Sequence, residues 1–320
     1  MPDVICLGEM LIDFVATESG VSLIDAPGFK KAPGGAPANV AVGLARFGHR
    51  VGFMGKLGAD DFGQFLTQTL AENGVDTSTI CYSQTARTAL AFVALAPDGE
   101  REFMFYRHPS AGMLFEPDEV DELVLGQIKL FHFGSLTLIS EPARSATLHA
   151  ARLAQEAGAI ISYDPNLRLN LWPDAEQARQ GMQVGWPYAQ VAKVSREELS
   201  FLSAEDDLAA GINALWHDGL RILLVTDGPN GAWAVTGSGR LHVPGFAVKA
   251  IDTTGAGDGF TAGFLHRLLH EPGLVDEPSR IEDAVRFANA VGALTTTMRG
   301  AIPGLPTLDA VNTLLSQNRE

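Results

Sequence analysis

The segment Asp252-Thr253-Thr254-Gly255-Ala256-Gly257-Asp258-Gly259-Phe260 leads into an apolar run with helical spacing. Its glycines let a backbone turn tightly and come close to a ligand. The N–H groups of Gly255, Ala256 and Gly257 would stand unpaired at the start of that helix, at the positive end of its dipole. Such a start is an anion site suited to a phosphoryl group. Asp258 falls in the first turn beside it, where a carboxylate could take the proton of a hydroxyl attacking the phosphate. First-turn acids also complement the helix dipole without doing any chemistry, and this segment alone leaves both readings open.

Further polar groups stand at turns. Pro33-Gly34-Gly35-Ala36-Pro37-Ala38-Asn39 is a glycine turn entering a helix, and Asn39 offers a donor and an acceptor together. A plain loop-to-helix junction accounts for it equally well. Tyr163-Asp164-Pro165-Asn166-Leu167-Arg168 follows a strand, and open α/β sheets bind ligands outside the carboxyl ends of their strands. Arg168 could hold a sugar hydroxyl or a moving phosphate, or form a surface salt bridge. Asp13 and Arg107 are either site residues or solvated surface charges.

The elements that must position these groups alternate along the chain. Val4–Leu7, Val51–Met54, Ile128–Phe133, Ile160–Tyr163, Val191–Val194 and Ile222–Thr226 read as strands. Pro37–Phe47, Asp61–Asn73 and Glu141–Ala157 read as helices, and helices at 256–269, 281–297 and 307–316 close the chain. This alternation implies a parallel sheet covered by helices on both faces. Residues 10–33 and 87–107 break the pattern with short strands, including a hairpin from Thr88–Leu95 to Glu102–Tyr106 around Pro97-Asp98-Gly99. Strands set apart from the main sheet suggest a lid, so 1–320 reads as a single domain carrying one.

Composition sets outer bounds. The 320 residues hold 38 Asp and Glu against 23 Lys and Arg, a net charge of −15. A surface this acidic argues against nucleic acid and anionic lipid as partners. It does not exclude a small anion held by oriented backbone dipoles. Two cysteines, Cys6 and Cys81, give no disulfide framework, and the start MPDVICLGEM lacks a basic n-region. No apolar run approaches the ~18 residues of a membrane span, and a cytoplasmic protein is expected. The phosphate-binding G-x-x-x-x-G-K-[ST], the G-x-S-x-G elbow and H-E-x-x-H are absent. Asp61-Phe62-Gly63 has no accompanying kinase motifs and reads as a chance helix start. His266 and His270, four apart, read as a solvated helix face.

On these residues the chain resembles the ribokinase-like, or phosphofructokinase-B, family of carbohydrate kinases. Both family signatures are present, Gly34-Gly35 with Asn39 near the start and Asp252 to Asp258 near the end. Among its members the chain is most similar to fructokinases, in FKKAPGGAPANVAVGLARFG, EREFMFYRHPSAGML, SYDPNLRLNLWP and TTTMRGAIPGLPT. The resemblance implies a three-layer α/β/α sandwich with a mostly parallel central sheet and a small β-sheet lid, and the apolar residues of the lid strands point to pairing of two lids in a homodimer. It implies ATP-dependent phosphorylation of D-fructose at the 6-hydroxyl. The competing expectations are a kinase of the same family acting on 2-keto-3-deoxygluconate, another sugar or a nucleoside, and a non-catalytic sugar-sensing protein.

It also implies roles. Asp258 would be the base, and Gly255, Ala256 and Gly257 the anion hole. Asp13, Gly34, Gly35 and Asn39 would hold sugar hydroxyls, with Arg107 reaching in from the lid and Arg168 near sugar and phosphate. Glu198 would help place Mg2+ through water; Ser195 stands where the family has Asn. Thr226, Gly228 and Gly231 would form the nucleotide loop, with Asn289 beside adenine. Asp252, Thr254 and Gly300 would surround a monovalent cation, K+, and Gly304 stands where some relatives have Ser. The loop His108-Pro109-Ser110-Ala111-Gly112 departs from the Asn-Pro-Ser-Ala-Asp of fructokinases.

Overall fold

A computed structural model describes residues 1–18, 20–95 and 101–318. Its strands are β1 (Val4–Leu7), β2 (Leu11–Ala16), β3 (Phe29–Gly34), β4 (Val51–Gly58), β5 (Ile80–Ser83), β6 (Ala89–Leu95), β7 (Arg101–Tyr106), β8 (Leu130–Gly134), β9 (Ile160–Asp164), β10 (Val191–Ser195), β11 (Ile222–Thr226), β12 (Ala232–Thr236) and β13 (Gly239–Val243). Its helices are α1 (Ala36–Arg46), α2 (Asp61–Glu72), α3 (Glu122–Leu125), α4 (Ala143–Glu156), α5 (Ala175–Gly185), α6 (Arg196–Ser203), α7 (Leu208–Leu215), α8 (Ala256–His270), α9 (Pro278–Thr295), α10 (Ala301–Gly304) and α11 (Leu308–Gln317).

The main sheet has the order β13-β12-β11-β10-β9-β8-β1-β4-β5. From β11 to β5 the pairing is parallel, and β12 and β13 add an antiparallel edge. Strand β1, with Val4, Ile5, Cys6 and Leu7 all fully buried, shows why the interior strands read as short apolar runs: helices cover both faces. One core joins the sheet to α1, α2, α8, α9 and α11; the other joins it to α4, α5, α6 and α7. This is the expected three-layer sandwich.

A second sheet, ordered β3-β2-β6-β7, forms the lid strands. Phe14 of β2 stacks on Phe92 of β6 at 5.0 Å and meets Phe62 of α2 edge-on at 5.7 Å, which anchors the lid to the sandwich. The turn expected at Pro97-Asp98-Gly99 lies outside the described residues. Asp61-Phe62-Gly63 is the first turn of α2, with Asp60 capping it by accepting the Gly63 N–H.

Three features differ from the sequence reading. Strands β5, β12 and β13 widen the sheet at its edges. Helix α9 starts at Pro278 rather than 281, because Pro tolerates a first turn. His266 does not face solvent: it is 7% exposed, enclosed by Phe47 and Phe287, because α8 lies between α1 and α9. A Cβ on Gly43 of α1 would stand 2.6 Å from Ala262 Cβ, and one on Gly263 would stand 2.9 Å from Val291 of α9. Small residues thus bring α8 close to both neighbours and fix where its N-terminus points.

Candidate active site

The carboxyl ends of the parallel strands converge on that N-terminus, where an open α/β sheet binds its ligands. Glu9 follows β1, Asp164 ends β9, Ser195 ends β10 and Thr226 ends β11.

Gly255 caps α8 in the left-handed region, φ 80°, with no side chain satisfying the first N–H groups. A Cβ there would run into Ala301. The packing of α10 therefore requires glycine at this cap, and the Ala256 N–H, expected to stand unpaired, donates to the Thr253 carbonyl at 3.2 Å. Asp258 sits in this first turn, 7% exposed. Asn39, on the first turns of α1, donates from Nδ2 to Asp258 Oδ2 at 2.7 Å. Burial pushes the Asp258 carboxyl up to about 6, with Asp164 adding to the rise; Asn39, Lys193 and Arg168 oppose it. A carboxyl near 6 is far better placed to accept a proton near neutral pH than one at its ordinary value.

Gly34 and Gly35 stand opposite. A side chain on Gly34 would collide with the Asp13 carboxylate, and one on Gly35, at φ 121°, with the Glu9 carbonyl. Asp13 is raised by burial to about 6, with Arg168 opposing. Arg107 comes from the end of β7 and is buried; Glu9, Arg107, Ser110 and Thr137 line the same small cavity. Burial lowers the Arg107 pKa, and Glu9 offsets part of this. Among the described residues, Asn39 Oδ1, Glu9 Oε2 and Thr137 Oγ1 are buried without a hydrogen-bond partner. Such atoms fit the hydroxyls of a polyol ligand, which would supply the missing bonds. Arg168 is exposed at the rim, its Nη1 donating to Leu167 O at 2.9 Å. Its charge nevertheless acts on Asp13, Asp258 and Glu9.

Glu198 completes a capping box on α6 with Ser195. Its Oε1 accepts from Leu167 N and its Oε2 from Ser195 N, both at 2.7 Å. Ser195 thus caps the helix at the position where Asn was expected. Asp252 Oδ1 accepts from Thr254 N and Oγ1, and Oδ2 from Gly300 N at 2.9 Å, so these three expected cation residues are one cluster. A side chain at Gly304 would meet the Thr295 carbonyl. On the nucleotide side, Gly228 and Gly231 turn the chain after Thr226 with φ of 51° and 98°. Asn289 is buried and donates to the Val243 and Pro244 carbonyls, both at 3.0 Å, so its amide N–H groups brace the segment after β13.

Three residues escaped the sequence reading. Lys193, in the middle of β10, pairs with Asp164 at 3.1 Å, and a Cβ on Gly257 would lie 2.8 Å from its Nζ. An ammonium therefore stands against the anion hole. Burial opposes its charge, but Asp164, Glu198 and Asp258 hold its pKa above the ordinary value. Asp164 also accepts from Thr261 Oγ1 at 3.2 Å. Glu9 is pushed up to about 7 by burial, against its backbone bonds and the two arginines. A Lys inside the run Val-Ala-Lys-Val, and acids directly after two strands, were the available signals.

The family model of the pfkB family carbohydrate kinases matches residues 1–308. The Arabidopsis thaliana protein named "Probable fructokinase-6, chloroplastic" is 52% identical over 318 residues, 98% of this chain and 82% of that one. The structure of a fructokinase with bound ATP from Xylella fastidiosa superimposes with a TM-score of 0.90 at 39% identity, covering 100% of both chains. A fructokinase from Vibrio cholerae O395, in its fructose-, ADP- and calcium-bound form, gives 0.87 at 34% identity over 98% of this chain and 99% of that one. The glycine-turned helix start, its adjacent buried acid and the match along almost the whole chain agree: this chain belongs to the pfkB family of carbohydrate kinases.

Proposed function

We propose that, in the ATP-dependent phosphorylation of fructose that this phosphotransferase carries out, Asp258 takes the proton of the 6-hydroxyl as that oxygen attacks the γ-phosphorus. The carrying observation is a buried carboxyl, raised to about 6, in the first turn of a helix that no side chain caps. The new O–P bond forms at the sugar oxygen, the bond from the γ-phosphorus to the bridging oxygen breaks, and its electrons leave with ADP. The N–H groups of Gly255, Ala256 and Gly257 would face the charge carried by the transferred group, Ala256 by turning its N–H from the Thr253 carbonyl that it meets at 3.2 Å, and Lys193 adds a cation beside them.

Asp13, Asn39 and the backbone at Gly34 and Gly35 hold the sugar, with Arg107 from the lid and Arg168 at the rim. Thr226, Gly228 and Gly231 receive the nucleotide, with Asn289 beside adenine, its amide N–H groups bracing the segment after β13. Glu198 would hold Mg2+ through water: its two oxygens are oriented by backbone donors, and a carboxylate with waters suits this ion. Bound there, the ion neutralises phosphate charge. Asp252, Thr254 and the backbone of Gly300 form an oxygen-rich turn that would hold K+ and stiffen the anion hole.

The same reading treats 1–320 as one kinase domain with lid strands from 10–33 and 87–107. Val15, Phe103, Met104 and Tyr106 of the lid are exposed, and a second lid in a homodimer would cover them. A monomeric sedimentation profile at micromolar concentration would sink that part. The two free thiols fit a reducing, cytoplasmic setting, which cell fractionation tests; among the described residues no helix is long and apolar enough to cross a membrane.

The deciding experiment measures ADP release with fructose, glucose, ribose, adenosine and 2-keto-3-deoxygluconate, for the native chain and Asp258→Asn. Turnover chiefly on fructose, lost in the variant, is expected. Fructose turnover near native in Asp258→Asn overturns the assigned base.

A further inference from the structure

Helix α8 has the anion hole at its N-terminus and His266 and His270 one turn apart at its other end. His49, in the turn between α1 and β4, comes against them. One ring nitrogen from each of the three lies within 4.8 Å of the others. His49 Nε2 and His266 Nδ1 share a hydrogen at 2.9 Å. The ring centroids of His266 and His270 are 4.6 Å apart, and each is 5.1 Å from that of His49. We propose that His49, His266 and His270 form a transition-metal site, with Zn2+ as the fitting ion, at the end of α8 opposite the reaction.

The donor chemistry supports this. Three imidazoles are a ligand set for zinc and its neighbours and poor for magnesium or calcium, and a water completes the shell. Zinc at about 2.0–2.1 Å from each nitrogen holds the three roughly 3.3 Å apart. His49 and His266 are already closer than that, so a small separation of the pair opens the position. His270 is exposed and can swing in from the rim, whereas His266 is fixed in the helix packing.

A second contact prepares a ligand. His270 Nδ1 lies 3.0 Å from the His266 carbonyl oxygen. Donation of the Nδ1 hydrogen to that carbonyl leaves the Nε2 lone pair outward. Metal-bound histidines are oriented by such a bond from the other ring nitrogen. When His49 and His266 both ligate, the hydrogen between them shifts to the other nitrogen of its ring, so no net proton is lost.

The helix end suits a cation, with the charges of Lys129 and Arg267 acting against it. The site lies at the negative end of the α8 dipole. The nearby Asp3 is engaged with Arg50 and Lys129, so it does not compete as a ligand. Phe47 and Phe287 form an apolar wall behind His266. An ion here would tie the turn after α1 to α8, the two helices that carry Asn39 and Asp258. Its role is then to brace the pair from behind, which needs no contact with substrate.

The test uses the full chain without a histidine tag, stripped with chelator and then equilibrated with zinc. One zinc per chain, a rise in Tm on adding it, and visible d–d bands of a nitrogen-liganded, low-coordinate ion with Co2+ are expected. His49→Gln and His270→Gln should each weaken zinc binding by at least about tenfold and lose the Tm rise, with metal-free kinase turnover unchanged. Substoichiometric zinc, or native-like binding by both variants, overturns the site. A Co2+ spectrum of the fully hydrated, octahedral type in the native chain overturns it without recourse to any variant.

Discussion

Asn39 and Asp258, 219 residues apart in the chain, meet through one hydrogen bond of 2.7 Å from Nδ2 to Oδ2. It ties the glycine turn near the start to the anion hole near the end, and it is the contact that most directly opposes the raised pKa of Asp258. Asp258 must be ionised to accept a proton, so kcat/KM should fall as pH drops below about 6. Asn39→Ala removes a donor to the charged form. The acid limb should therefore move to higher pH, and KM for the sugar should rise because Asn39 Oδ1 is also lost. A pH–rate profile checks this; an unmoved limb would show that Asn39 does not tune the base.

Asp258→Asn should cut kcat by roughly 10²–10⁴ while the sugar still binds. The same substitution should stabilise the fold at pH 8. The folded-state pKa of about 6 lies above the ordinary 3.8, so the native state binds more protons than the unfolded chain between those values. Stability contributed by this group is thus full below about pH 4 and lost as pH rises through 6. Ionised and buried at pH 8, Asp258 costs on the order of 3 kcal/mol. Thermal unfolding of both proteins at pH 4 and pH 8 measures it: the advantage of the Asn variant should appear only at the higher pH.

Gly255 and Gly257 flank the anion hole and should fail differently. Gly255→Ala demands φ 80° from a residue with a Cβ and drives it into Ala301, so a loss of about 1–3 kcal/mol is expected together with lost turnover. At Gly257 the new methyl meets only the end of the flexible Lys193 side chain. Gly257→Ala should keep its Tm within a few degrees and still lose turnover, since the methyl occupies the face on which phosphate must approach. Paired Tm and kcat measurements separate the two.

Legibility in the sequence followed local signals. The interior parallel strands were readable because both faces are buried and the runs are plainly apolar. Strands β5, β12 and β13 were not, since Ile80–Ser83 and Ala232–Thr236 are short runs of mixed apolar and polar residues and Gly239–Val243 is largely exposed. Asp258, the glycines and Asn39 announced themselves by position at helix starts. Lys193 and Glu9 did not, because a charge inside or just after an apolar strand gains its meaning only from neighbours distant in the chain. His266 was misjudged for the related reason that i, i+4 spacing gives a helix face but not what covers it.

Lys193 and Asp164 offer a cleaner division of structure from chemistry. Both are buried, with Nζ 3.1 Å from Oδ2. Lys193→Met leaves the Asp164 carboxylate with Thr261 but no cation, and should cost about 3–5 kcal/mol. Adding Asp164→Asn removes the stranded charge, so the double variant should recover most of that stability, and a double-mutant cycle gives the coupling. Its turnover should not recover. The ammonium against Gly257 has no substitute in the double variant, and losing one preorganised charge beside the transferred phosphate costs ~10²-fold in kcat. Denaturation and kcat measured on all four proteins decide the matter: a stable double variant with near-native kcat would make Lys193 a purely structural partner of Asp164.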